Sequence, residues 1–215
     1  MNYIADRRQE EKDRRRVEIL DAAEAVAAAE GIDALTMDQV ARRARISRAL
    51  LYVYFQDKAD LHLGICERAL ALLADRFEEA RSRNVSGIDQ ILAIGRAYVA
   101  FSAEFPMHFE ALARFQAHEA QAGEPSGAMG NCFACGDRVH QIMFAAIAAG
   151  QQDGSIDKAA GSPASIAMAL AGGMHGVIQQ VATKGGVLAQ YGLGGRELFE
   201  QALQIMRAGL QPGRR

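Results

Sequence analysis

Nowhere in the 215 residues do 18 consecutive apolar positions occur, which excludes a membrane-spanning helix from the sequence reading. Cysteine is scarce. Cys66, Cys132 and Cys135 are too few, and odd in number, for the disulfide framework of a small secreted protein. The first sixteen residues, MNYIADRRQEEKDRRR, lack the apolar core of a secretory signal, so a cytoplasmic location is expected. No excess of either charge stands out: the net charge of -2 excludes a uniformly basic surface and leaves nucleic-acid binding only to a local patch. Period-2 alternation of β-branched residues is absent, which argues against sheets. Also missing are a P-loop, a GxGxxG, an HExxH and a serine on a nucleophile elbow. An enzyme reading therefore has little support, and neither a cofactor nor a metal is expected.

What the chain has is alanine, leucine, glutamate and arginine, with ample helix punctuation; the fold expected is all-α. A first helix is predicted from about Arg14 to Glu30, with Val17, Leu20, Ala23 and Ala27 on its buried stripe and Gly31 as its stop. Thr36 caps a short helix over Met37 to Ala44, and Ser47 caps another over Arg48 to Tyr54. Asp57 opens a long helix to about Arg81. Further helices follow over Ile88–Glu104, Met107–Ala120, Asn131–Ala149, Pro163–Thr183 and Arg196–Gly209. Pro106 breaks the first of these from the second, and residues 121–130 and the glycines from 185 to 195 read as loops.

Two short helices joined by a tight turn have the geometry of a helix-turn-helix, whose second helix enters the major groove of DNA. Gln39 to Arg48 contains four arginines and no acid, the local charge a phosphate-tracking surface needs. Val40, Ile46 and Leu51 supply the shared core of the pair, with small Ala41 allowing close packing. The bland alternative, a solvated charged helix face, is opposed by the surrounding pattern.

That pattern is specific. Ile19, Leu20, Ala22, Ala23, Gly31, Thr36, Val40, Ala41, Ser47, Leu51, Tyr52, Tyr54, Phe55 and Lys58 stand in register with the N-terminal domain of the TetR family of repressors, which this stretch resembles. The resemblance implies that Thr36, Ser47, Tyr52, Tyr54 and Lys58 contact phosphates, while Arg48, Ala49 and Val53 face base edges. Arg48 would fork onto guanine O6 and N7. Two departures stand out. Arg45 occupies a turn position that is usually glycine, where a left-handed backbone would cost about 1 kcal/mol and an added phosphate contact would offset it. Ala27 and Ala49 replace a large aromatic residue and a glycine.

The remainder matches less tightly. Arg96 to Phe115 and Ala169 to Ala182 look like one C-terminal subtype of the family, with Met174-His175-Gly176 in place of an aromatic-His-Gly triplet. The organisation expected is a DNA-binding domain over residues 1–56, with a flexible arm over 1–13, and an effector-binding and dimerisation domain over 57–215. Two partners follow, double-stranded operator DNA and a small hydrophobic effector, with homodimerisation and no membrane. Candidate effector-pocket residues are Tyr98, Phe101, Phe105, His108, Phe115, His118, Gln141, Phe144 and His175. His175 also reads as a structural hydrogen-bonding residue. Candidate dimer contacts are the small residues Ala169, Gly172, Gly173 and Gly176 together with Leu198, Leu203 and Met206. Cys132 and Cys135 form a CxxC, readable as a redox or metal pair or as two small apolar groups packing in a helix.

Overall fold

A chain rich in helix formers and without strand periodicity folds as helices. The computed structural model describes residues 3–119 and 127–213, with the side chains of 6–115 and 127–213. The described residues form α1 (Tyr3–Glu30), α2 (Met37–Arg43), α3 (Arg48–Tyr54), α4 (Lys58–Ser82), α5 (Gly87–Glu104), α6 (Pro106–Glu119), α7 (Ala128–Asp153), a 3-10 turn (Lys158–Ala160), α8 (Pro163–Gln190) and α9 (Gly195–Leu210). No strand occurs among them, and none of these helices is long and apolar enough to cross a membrane. Two compact units are present: residues 1–70 with 105–134, and residues 71–104 with 135–215.

In the first unit, α1 begins at Tyr3 rather than at Arg14, so the residues read as an arm are helical from Tyr3 onward. No glycine or proline interrupts them, and polar pairs at helical spacing hold the exposed turns. Gln9 donates to Asp13 at 2.8 Å and Arg15 pairs with Glu18 at 2.6 Å. The buried stripe is Ile19, Leu20, Ala23, Val26 and Ala27, whereas Val17 is 49% exposed. At 3.6 residues per turn Val17 falls about a third of a turn from the stripe's centre. Gly31, at φ 89°, ends the helix by donating to the Ala27 carbonyl. On α4, Gly64 permits a close approach: a Cβ there would sit 2.9 Å from a Leu20 methyl and 3.0 Å from the Phe55 ring. Phe109, Ala111, Leu112 and Phe115 are the buried side of α6. Residues 121–126, most of the expected loop over 121–130, lie outside the described residues.

In the second unit, the start of α5 crosses α7 at backbone distance. A Cβ on Gly87 would meet the Gly150 nitrogen at 2.0 Å. The Asp153 carboxylate accepts from the Gly87 amide and the Ser155 hydroxyl from that of Ile88, satisfying amides that no helical carbonyl reaches. Gly150 is therefore a packing position and not the stop expected there. The helix runs on to Asp153, and Gly154, at φ 81°, makes the turn. Similarly α8 passes through Gly185 and Gly186, which were expected to lie in a flexible connection. It kinks at Lys184 (φ -120°, ψ 21°) and stops at Gly192 (φ 71°), where the Leu193 amide donates back to the Leu188 carbonyl. α9 packs on α5 and α8, with Leu203 against Gly95 and Met206 against Gly173.

Candidate nucleic-acid interface

The helix-turn-helix forms where the sequence places it, and each of its boundaries has a hydrogen-bonding cause. Thr36 accepts from the Gln39 amide while the Gln39 side chain accepts from the Thr36 amide at 2.8 Å, a reciprocal capping box on α2. Ser47 accepts from the Leu50 amide at 3.1 Å to cap α3. Between them Arg45 adopts φ 56°, the left-handed conformation usually left to glycine, and the Ile46 amide closes the turn on the Ala41 carbonyl. Val40 and Leu51 are fully buried; Ile46 is half-buried.

Burying Leu51 and Phe55 turns the opposite side of α3 outward. Arg48, Ala49, Tyr52 and Val53 are exposed, at spacings that share one helix face, and Tyr54 is half-buried. Val53 is 69% exposed, a large apolar group with no packing role in this unit. Thr36, Arg45, Ser47 and Lys58 are exposed as well, and so are Arg42 and Arg43. The Lys58 ammonium donates to the Asp33 carbonyl. That loop is also gripped by Arg114 of α6, which pairs with the Asp33 carboxylate and with Glu110.

Arg48 has company that sequence spacing did not reveal. Its Nη1 lies 3.2 Å from the Asp38 carboxylate on α2, and its Nη2 donates to the Tyr52 hydroxyl at 3.3 Å. The guanidinium carbon sits 5.6 Å from the Tyr52 ring centroid. The Tyr52 hydrogen bond, and then the Asp38 charge, push the Arg48 pKa up. Ten residues separate Asp38 from Arg48, so no helical periodicity links them; the angle between α2 and α3 does.

The expected effector residues are divided between the two units. In the second unit, Tyr98 and His175 come together, the hydroxyl 2.9 Å from Nδ1, with Phe77 edge-on to the Tyr98 ring. Burial pushes the Tyr98 phenol up to about 12 and lowers the His175 pKa, so the two groups share a hydrogen bond between uncharged partners. Phe101 is buried, Phe144 is half-buried and stacked on His140, and Gln141 is exposed. In the first unit Phe105 packs edge-on to His108, His108 lies 3.3 Å from Glu24, and Phe115 is buried against Phe133. The His118 side chain lies outside the described residues. A surface cleft of about 160 Å³ on α4 and α5 of the second unit is lined by Arg76, Glu79, Arg83 and Phe101 among others.

On α8, Ala169, Gly172, Gly173 and Gly176 are exposed. On α9, Leu198 and Met206 are half-buried, whereas Leu203 is buried within its own unit against Gly95. Cys132 is buried and donates to the Leu63 carbonyl at 3.1 Å; Cys66 is buried too, and burial pushes its thiol up to about 12. Among the described residues no three His, Cys, Asp or Glu side chains gather as a metal site.

Residues 19–65 match the family model of the bacterial regulatory proteins of the tetR family. Over 90 residues the chain is 30% identical to the HTH-type transcriptional activator FasR of Mycolicibacterium smegmatis, a match covering 42% of this chain and 41% of that protein. Among solved structures, a protein of unknown function from Rhodococcus sp. RHA1 is similar at a TM-score of 0.75 and 24% identity, over 92% of this chain and 95% of that one. The regulator FadR of Bacillus subtilis, solved in complex with stearoyl-CoA, is similar at 0.66 and 16% identity, over 91% and 99%. At these identities the structures speak to the fold. The capped helix-turn-helix lies inside the matched segment, so residues 19–65 carry the N-terminal segment of the bacterial regulatory proteins of the tetR family.

Proposed function

We propose that the chain is a cytoplasmic, homodimeric transcriptional repressor that holds a palindromic operator through α3 and lets go when a small hydrophobic molecule binds. The observation that carries the DNA-binding part is the outward face of α3. A capped seven-residue helix presents Arg48, Ala49, Tyr52 and Val53 to solvent beside a run of exposed arginines. Phosphate contacts fall to Thr36, Arg45, Ser47, Tyr52, Tyr54 and Lys58, and base edges to Arg48, Ala49 and Val53. Dimerisation through α8 and α9 is supported by the exposed Ala169, Gly172, Gly173 and Gly176, with Met168 and Ile205 also open at 53% and 63%. Two recognition helices related by a two-fold axis then meet successive major grooves, which is why the site is a palindrome.

An apolar effector is supported by the phenylalanine and methionine content of α5 to α8 and by the scattering of their arginines. The FadR relative, solved with stearoyl-CoA, makes long acyl chains the first class to try. A thermal-shift panel of fatty acids, acyl-CoAs and neutral aromatics, followed by gel shifts with each stabilising compound, tests the switch. Binders that leave DNA affinity unchanged would sink it. The FasR relative is named an activator, which supports the second reading, activation. A promoter fused to a reporter, with and without the gene, separates the two by the sign of the change.

A further inference from the structure

A carboxylate on a DNA-facing surface weakens binding to every sequence, because it repels the phosphates. Asp38 nevertheless stands in the first turn of α2 with 58% of its side chain exposed, facing Arg48 on α3. Capping does not require it there, since Thr36 and Gln39 already form the reciprocal cap of α2. Its carboxylate lies instead 3.2 Å from Nη1 of Arg48, while Nη2 of the same guanidinium donates to the Tyr52 hydroxyl one turn along α3. The guanidinium is thus held on two sides, by groups from two helices. A free arginine has several rotatable bonds to freeze when it forks onto a base. One already held loses less on binding and tolerates less displacement, and displacement is what an incorrect base requires.

We propose that Asp38 is a positioning residue that sets how stringently Arg48 discriminates guanine from the other bases, with Tyr52 as the opposite support. The inference rests on the DNA-binding reading of α3. Asp38 lowers affinity across all sequences and raises selectivity at one base pair. Tyr52 then serves Arg48 through its hydroxyl in the free protein, in addition to any phosphate it meets in the complex. A carboxylate that served only to stabilise α2 through the helix dipole would alter folding and leave base preference alone.

The test uses the full-length chain. A preferred duplex is selected from a randomised pool by the wild-type protein. Affinities of the wild type, Asp38→Asn, Arg48→Ala and the double variant are then measured on that duplex and on versions with each base pair exchanged, with thermal melts confirming that all four proteins fold. Asp38→Asn is expected to bind non-specific DNA more tightly, and to lose about fivefold to tenfold of its discrimination at the base pair that Arg48→Ala flattens. Discrimination elsewhere stays within about twofold, and in the Arg48→Ala background Asp38→Asn changes nothing at that base pair. Asp38→Glu, which restores the charge, recovers part of the lost preference. Equal tightening on every duplex, with preference intact, overturns the proposal and leaves Asp38 as a plain negative charge. A wild-type chain that selects no sequence from the pool removes the DNA-binding reading itself, and the proposal with it.

Discussion

Arg48, Lys58 and Arg45 show how far one side chain's chemistry reaches. Arg48→Ala is expected to cost about 1–3 kcal/mol at a single operator position and to relax preference there, because a guanidinium fork is lost from one base. Lys58→Ala should instead weaken all sequences alike and reduce the salt slope of binding by about one, the signature of one lost phosphate contact. Equilibrium titrations on matched and mismatched duplexes at several salt concentrations separate them. Arg45, at φ 56°, carries strain that glycine would not. Arg45→Gly should be neutral to about 1 kcal/mol more stable by chemical denaturation, the relief being partly offset by a looser unfolded chain, yet should bind DNA less tightly. A clear loss of stability would mean that the arginine side chain does more in the turn than the backbone argument allows.

At the scale of the helix, glycines divide into stops and crossings. Gly31 and Gly154 end helices at φ 89° and 81°, whereas Gly87 and Gly150 let α5 and α7 touch. Gly87→Ala drives a methyl into backbone and should cost more than about 2 kcal/mol in urea denaturation. Gly136, inside α7 with no described residue near its missing Cβ, should accept alanine with a gain of about 0.5–1 kcal/mol. The sequence alone does not separate Gly31 and Gly154 from Gly87 and Gly150; which of them meets a neighbour depends on where another helix crosses. The Tyr98–His175 contact joins α5 to α8 and carries a pH signature. Burial holds the His175 pKa below its ordinary 6.5, so as pH falls through that value the unfolded chain takes up a proton that the folded chain refuses. Stability is therefore full above pH 6.5 and declines below it. Melting from pH 7.5 to 5 should show a shallower decline in His175→Gln than in the wild type.

For the whole molecule, the proposed dimer rests on the helix pair α8 and α9. Among the described residues nothing lies within 4 Å of a Cβ placed on Gly172 or Gly176, so a large residue there is expected to disturb the proposed partner contact. Gly172→Arg is expected to keep its helical content while its mass by light scattering falls from two chains to one, with operator affinity falling steeply because two half-sites are no longer tied together. A Gly172→Arg protein that stayed dimeric and bound DNA normally would place the interface elsewhere.

The helix-turn-helix was legible from residue types alone because its determinants are local. Caps act over three residues, the turn closes over five, and the alternation of buried and exposed positions on α3 is read along one strand of sequence. The helix end at Gly150 was misplaced for the complementary reason: glycine permits a stop but does not require one, and packing decides; the end expected at Thr183 coincides with a break at Lys184, beyond which a further short helical stretch continues. The same holds at the candidate sites. The base and phosphate contacts proposed for α3 are what its resemblance to the family implies, while the Asp38–Arg48 pair, the grip of Arg114 on the Asp33 loop and the burial of Leu203 bring together residues far apart in the chain. What the sequence by itself determined is which segments are helical and which short helix faces outward, since those depend on neighbours within a few residues. Which charges meet, which glycines are crossings and which apolar side chains remain on the surface only the tertiary structure decided, because each depends on a second helix arriving at a particular distance and angle.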